Sequence, residues 1–196
     1  MYLLFNKKTP ISDLQLIQSI AKGNQVAFRE LYEKFGDTVY NTAIGILQSQ
    51  EDAEEVTQDV FVSVFKKADS FKGDSKLSTW IYRITVNTSL NHLKKRKRLS
   101  LFFKRDENVE GVSFEHPGIL LENKEDAKIL FKAIKELPET QKVAFVLSYI
   151  EDLPRQEVAT IMETTLKAVE SLLQRAKANL RKKLNSFFFT EGNSNK

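Results

Sequence analysis

The sequence predicts an all-α protein: two small helical domains joined by a flexible linker. Three observations carry that prediction. Apolar residues recur at helical spacing through most of the 196 residues. The periodicity dissolves over one stretch, residues 99–123, which holds charges, Gly111 and the His116-Pro117-Gly118 turn signal. Most periodic runs also open or close on a cap or breaker residue. The expected units are therefore 12–98 and 124–185, with 99–123 as linker and 186–196 as a frayed, disordered tail.

Each element has its own signal. Ser12 with Gln15 matches a capping box, and Leu14, Ile17 and Ile20 then recur until Gly23. A second helix starts near Asn24 with Phe28, Leu31, Tyr32 and Phe35 on one face. It continues through Val39, Ala43, Ile46 and Leu47, with a break left open at Gly36. Ser49 with Asp52 begins a third, striped by Ala53, Val56, Val60, Val64 and Ala68. Phe71 to Lys76 reads as a loop. The fourth helix spans about 78–98, with Tyr82, Val86, Leu90 and Leu93 as its clearest apolar stripe. Beside that stripe run Arg83, Asn87, Asn91, Lys94 and Arg98.

After the linker, Ala127, Leu130, Phe131 and Ile134 mark a helix that stops before Pro138, and Val143, Val146, Leu147 and Ile150 mark the next. Pro154 then opens a short helix, Arg155 to Met162, and a long one follows Thr165 to about Leu184. This pair has helix-turn-helix character: Ala159 permits close approach, and Val169 can pack back on Val158 and Ile161. Glu163 stands where such turns often carry glycine, so a left-handed backbone is not assumed there.

Composition excludes several functions. With no cysteine, disulfides, thiolate zinc sites and thiol catalysis are ruled out. The two histidines are far apart in sequence, and no Ser/His/Asp set or phosphate-binding glycine loop is present. No catalytic residue, cofactor, metal or small-molecule substrate is expected. No apolar run approaches the roughly 18 residues of a membrane span, and the N-terminus lacks signal-peptide order, so a cytoplasmic protein without membrane insertion is expected. The net charge of +4 decides little, but its distribution decides more. Eight basic residues and no acid lie between Arg83 and Arg105, whereas Glu51 to Asp59 carries five acids and no base. The first suits a polyanion and the second a basic partner.

Two ordered motif blocks carry a family resemblance. Asp52-Ala-Glu-Glu-Val-Thr-Gln-Asp-Val-Phe61, Phe71-Lys-Gly-Asp-Ser75 and Thr79-Trp-Ile-Tyr-Arg-Ile-Thr-Val-Asn87 resemble region 2 of the extracytoplasmic-function (ECF) sigma factors of bacterial RNA polymerase. Leu137-Pro-Glu-Thr-Gln141, Glu157-Val-Ala-Thr-Ile161 and Val169-Glu-Ser-Leu-Leu-Gln-Arg-Ala176 resemble their region 4. The resemblance implies a region 2 bundle and a region 4 helix-turn-helix that direct promoter-specific initiation.

It also implies roles for particular residues. Asp52, Glu54, Glu55, Gln58, Asp59 and Phe61 would dock on core polymerase; the residues alone favour a solvated acidic face with Phe61 in the core. Phe71, Lys72, Gly73, Asp74 and Ser75 would hold a base flipped from the single-stranded −10 element. Arg83, Asn87 and Asn91 would face DNA beside it, and Lys94 and Arg98 would grip phosphates. Trp80 is expected in the core. Arg155, Lys167, Ser171, Gln174, Arg175 and Lys177 would meet the −35 duplex, with the units held apart on polymerase. Glu170, where relatives often have a base, is left open. An anti-sigma factor is a further expected partner. The alternatives are a helix-turn-helix regulator with a helical sensor domain, which predicts tight duplex binding without polymerase, and a scaffold with no DNA role.

Overall fold

A computed structural model of the chain describes residues 12–103 and 124–191, with side chains for 12–100 and 128–185. The linker expectation for 104–123 lies outside the described residues, as do Lys104 and Arg105. Unit one comprises α1 (Asp13–Ala21), α2 (Gln25–Leu47), α3 (Gln50–Lys67), a 3-10 turn (Ala68–Ser70) and α4 (Leu77–Phe103). Unit two comprises α5 (Lys124–Lys135), α6 (Glu139–Phe145) running into a π-helical turn (Val146–Ile150), α7 (Arg155–Ile161) and α8 (Leu166–Glu191). Among the described residues there is no strand, and no helix is long and apolar enough to cross a membrane.

Local signals set most of the helix ends. Ser12 and Gln15 close the capping box in both directions, at 3.2 and 3.1 Å, and the Asn24 and Ser49 side chains accept from the first-turn amides of α2 and α3. Gly23 adopts φ 80°, and the Gly23 and Asn24 amides bond back to Ile20 and Ser19 carbonyls. That is a Schellman ending, which needs the left-handed backbone glycine supplies without strain. α2 runs unbroken through Gly36. α4 continues to Phe103 and α8 to Glu191, past the expected ends at Arg98 and Leu184. Part of the expected tail is therefore helical.

The turn between α7 and α8 resolves a position the sequence left open. Glu163 is left-handed, with φ 53°, and the Glu163 and Thr164 amides bond to the Thr160 and Ala159 carbonyls. The helix-turn-helix thus uses the same Schellman geometry as Gly23, but with a side chain that pays steric cost there. Val169, fully buried against Val158 and Ile161, holds the second helix and so over-determines the turn. Glu163→Gly is expected to stabilise the protein by about 0.5–1 kcal/mol, read as a raised urea midpoint at unchanged slope. The 3.4 Å contact it removes runs from an exposed Glu163 carboxylate to a half-buried Arg83, which Thr160 still holds, and so offsets only part of that gain.

Three cores follow. Leu31, Val39, Val56, Val60, Leu77 and Ile81 anchor the bundle of unit one. Phe131, Ile134, Leu137, Ala176 and Leu180 join α5 to α8. The third core is shared between the units: Ile46, Tyr82 and Val86 of unit one pack with Val143, Val146, Leu147, Val158 and Ile161 of unit two. The units, expected apart when bound to polymerase, are packed together in the chain alone. The apolar stripe of α4 explains why. Tyr82, Val86 and Leu90 face unit two, Leu93 touches both cores, and Leu77, Ile81 and Ile84 face the bundle.

Candidate nucleic-acid and polymerase interface

The acidic face of α3 is divided by burial. Glu54, Glu55, Gln58 and Asp59 are exposed. Asp52 is not freely offered: its carboxylate takes Arg96 at 2.6 Å and His92 at 3.0 Å, tying α3 to α4 with 17% of its side chain accessible. Phe61, expected as an apolar docking anchor, is 3% exposed and packs on Tyr32 and Phe28. The α2–α3 packing draws its ring inward, leaving Tyr32 and Phe65 half open in its place. Tyr32, Glu33, Asp37, Tyr40, Glu54 and Gln58 line a groove of about 490 Å³ between α2 and α3. Tyr32, Glu33 and Asp37 were missed from sequence because their stretch of α2 reads as core periodicity. Phe65 was readable, since it lies one turn after Phe61 on the same helix.

The segment from Phe71 to Ser75 is a loop, turned by Gly73 at φ 81°. Lys72, Gly73 and Asp74 are exposed and Ser75 is half-buried. Phe71 is 7% exposed, its ring 5.2 Å from that of Trp80. Its side chain anchors the loop rather than offering a surface to a base, because the loop must close over the end of the bundle. Along α4, Asn87, Asn91, Lys94 and Arg98 are exposed. Asn87 and Asn91, one turn apart, line a groove of about 560 Å³ between α3 and α4 together with Trp80, Arg83 and Lys95. Lys66 and Lys67 line it from α3. Sequence reading missed these two, because their basic charge lies on a different helix from the basic run.

On α8, Lys167, Ser171, Gln174, Arg175 and Lys177 are all exposed, as is Arg155 at the start of α7. Arg175 bonds back to the Ser171 carbonyl at 3.3 Å, and Lys177 stands 4.7 Å over the Tyr149 ring. The Lys177 ammonium holds the Tyr149 hydroxyl below its ordinary value, and Arg155 acts the same way. Glu170 lies 3.9 Å from Arg155. Leu172 is half-buried against the shared core, so an apolar residue there serves packing.

Polar contacts rim the shared core. Thr79 donates to Glu157 at 2.8 Å, Tyr82 to Glu151 at 3.0 Å, and Arg83 to the Thr160 carbonyl at 2.9 Å. Burial raises the Glu151 carboxyl, and the Tyr82 hydrogen bond opposes that shift. Burial and the same carboxylate raise the Tyr82 phenol. Lys142 of α6 is 6% exposed. Burial pushes its ammonium down to about 8, against the pull of Glu139 and with help from Lys135 and Arg96. Arg83, expected on DNA, is thus engaged by the helix-turn-helix unit, whereas Asn87, Asn91 and the recognition face stay open.

A helical bundle with an amide-and-basic stripe, followed by a helix-turn-helix with an open basic face, defines a transcription factor of the initiation class. The family Sigma-70 region 2 matches residues 31–99, and the family Sigma-70, region 4 matches residues 127–180. The chain is 31% identical over 183 residues to the ECF RNA polymerase sigma-E factor of Escherichia coli K12, covering 89% of this chain and 95% of that one. A solved structure of CnrH in complex with the cytosolic domain of CnrY is similar at 25% identity and TM-score 0.65, covering 89% of this chain and 97% of that one. The sigma factor RpoE, solved with the anti-sigma factor NepR from Bartonella quintana, shares the fold at 22% identity and TM-score 0.67, covering 81% and 96%. The chain belongs to the ECF sigma factors. It is an RNA polymerase sigma factor for promoter-specific transcription initiation, working with core polymerase and promoter DNA.

Proposed function

We propose that unit one holds the melted −10 strand in the groove between α3 and α4, and that unit two lays α8 in the major groove of the −35 duplex. Asn87 and Asn91 face base edges, since an amide both donates and accepts. Lys66, Lys67, Lys94 and Arg98 meet phosphates. The exposed loop residues Lys72, Gly73 and Asp74, with the half-buried Ser75, take a flipped base, and Arg175 and Ser171 lead the −35 contacts. The aromatic and acidic groove beside Tyr32 and Glu54 receives a basic helical surface of core polymerase. Chemistry belongs to the polymerase, and this chain acts in the cytoplasm as a non-catalytic factor under an anti-sigma partner.

What supports this reading most is the juxtaposition along α4, where Asn87 and Asn91 stand open between Arg83 on one side and Lys94, Lys95 and Arg98 on the other, although Glu55 and Asp59 also line the α3 wall of the groove. Geometry adds a requirement. Elements about 25 base pairs apart are separated by roughly 85 Å, whereas a compact chain of 196 residues has a radius of gyration of about 16 Å, or a diameter near 40 Å. The packed form cannot touch both elements, so the units separate on the polymerase. Run-off transcription with the core enzyme of the bacterium that encodes the chain tests the assignment. Promoter-specific transcript should appear only with this chain added, and fall about tenfold or more with Asn87→Ala. A transcript level unchanged by Asn87→Ala would remove the −10 assignment. Tight, specific duplex binding without polymerase would favour the regulator alternative.

A further inference from the structure

Glu170 is the sole acid of α8 before its last residue, Glu191. Half of its side chain is open, and its Oε1 stands 3.9 Å from Nη1 of Arg155, itself 54% exposed. That separation is a charge contact rather than a hydrogen bond, and an exposed pair of this kind parts at little cost. Glu170 lies one turn after Lys167 and one turn before Gln174, within the early turns that enter the major groove in a helix-turn-helix. A carboxylate there repels phosphate, opposing what the neighbouring Lys167, Arg175 and Lys177 attract.

A carboxylate accepts only, so it needs a donor on the DNA. The major groove offers two amino donors, cytosine N4 and adenine N6. Adenine sets its N7 acceptor beside the amine, where it would repel a carboxylate. Guanine presents N7 and O6, and thymine presents O4 and a methyl group, none of them a donor. Cytosine alone fits. We propose that Glu170 is a specificity-determining residue that accepts a hydrogen bond from the N4 amino group of one −35 cytosine, while Arg155 leaves it for a backbone phosphate. This rests on the reading that unit two binds the −35 duplex.

The test uses promoters randomised across the −35 element, transcribed by core enzyme with the full-length chain, and the transcripts sequenced. The unaltered chain should favour cytosine at one position by about tenfold. In Glu170→Gln the amide can pair with adenine N6 and N7 together, so the preference at that position should move to adenine while other positions keep theirs. Glu170→Ala should lose it. Arg155→Gln should lower transcription from all sequences alike and weaken its salt dependence. The proposal is overturned if Glu170→Gln keeps the original base, if it raises all sequences uniformly, or if Arg155→Gln is the variant that changes the base chosen. No −35 selection by the unaltered chain would remove the −35 reading itself, and this proposal with it. Thermal melting of the exposed-site variants, expected unchanged, separates these outcomes from loss of fold.

Discussion

Ile46→Asp is expected to part the two units without unfolding either. Ile46 is fully buried, yet its packing partners are Tyr82 and Val86 of α4 and the apolar residues of unit two. Its neighbours Ala43, Ile44 and Leu47 belong instead to the bundle of unit one. In the packed form the new carboxylate would be buried without a partner, which costs about 3 kcal/mol or more. In the separated form the same position loses its cover from unit two, keeping only Tyr82 and Val86 of α4 beside it, and water can reach the carboxylate. A 3 kcal/mol difference shifts the packed-to-open ratio by roughly a hundredfold. Small-angle scattering should report a larger radius of gyration, with helical content by circular dichroism unchanged. Because the packed form spans only one promoter element, promoter-specific transcript at limiting factor should rise. An unchanged radius would show that the units stay packed without Ile46.

How much of this was legible in the sequence depended on how local the cause was. The capping box at Ser12, the caps at Asn24 and Ser49 and the loop turn at Gly73 are each set within a few residues, and the structure has them all. Glu163 was not decidable from sequence because the rule that reserves left-handed turns for glycine is a preference of about 1–2 kcal/mol. The burial of Val169 and Ile161 outweighs it. Phe61 lies in the core, as the residues alone favour, and Asp52 is tied to α4 rather than freely offered. One apolar or charged stripe on a helix cannot say which neighbour takes it, and here α2 claims the ring while Arg96 and His92 claim the carboxylate. The same ambiguity hid the contact between units. The stripe Tyr82, Val86, Leu90 was read as apolar, and the structure buries Tyr82 and Val86 and half-buries Leu90, but an apolar stripe carries no address in sequence. Glu157 and Glu151 are ordinary surface acids in any linear reading, and become partners of Thr79 and Tyr82 only once the two units meet.

The loop from Phe71 to Ser75 separates anchoring from reading, and paired substitutions should show the split. Phe71→Ala removes a ring that is 7% exposed and packed on Trp80. A buried phenylalanine truncated to alanine costs about 3–5 kcal/mol, a large part of the stability of a domain this size. Its urea midpoint should fall steeply, and transcript should be lost together with fold. Phe71→Leu keeps most of the buried volume and should restore much of both. Asp74→Ala touches an exposed side chain, so the melting transition should not move. Promoter opening should nonetheless fail, because the loop would lose a polar group that meets the flipped base. Loss of transcript at intact stability in Asp74→Ala, against loss of both in Phe71→Ala, would assign reading to the loop's exposed edge and anchoring to its buried ring. Equal transcript from Asp74→Ala and the unaltered chain would move base capture away from Asp74, to Lys72, Ser75 or the loop backbone.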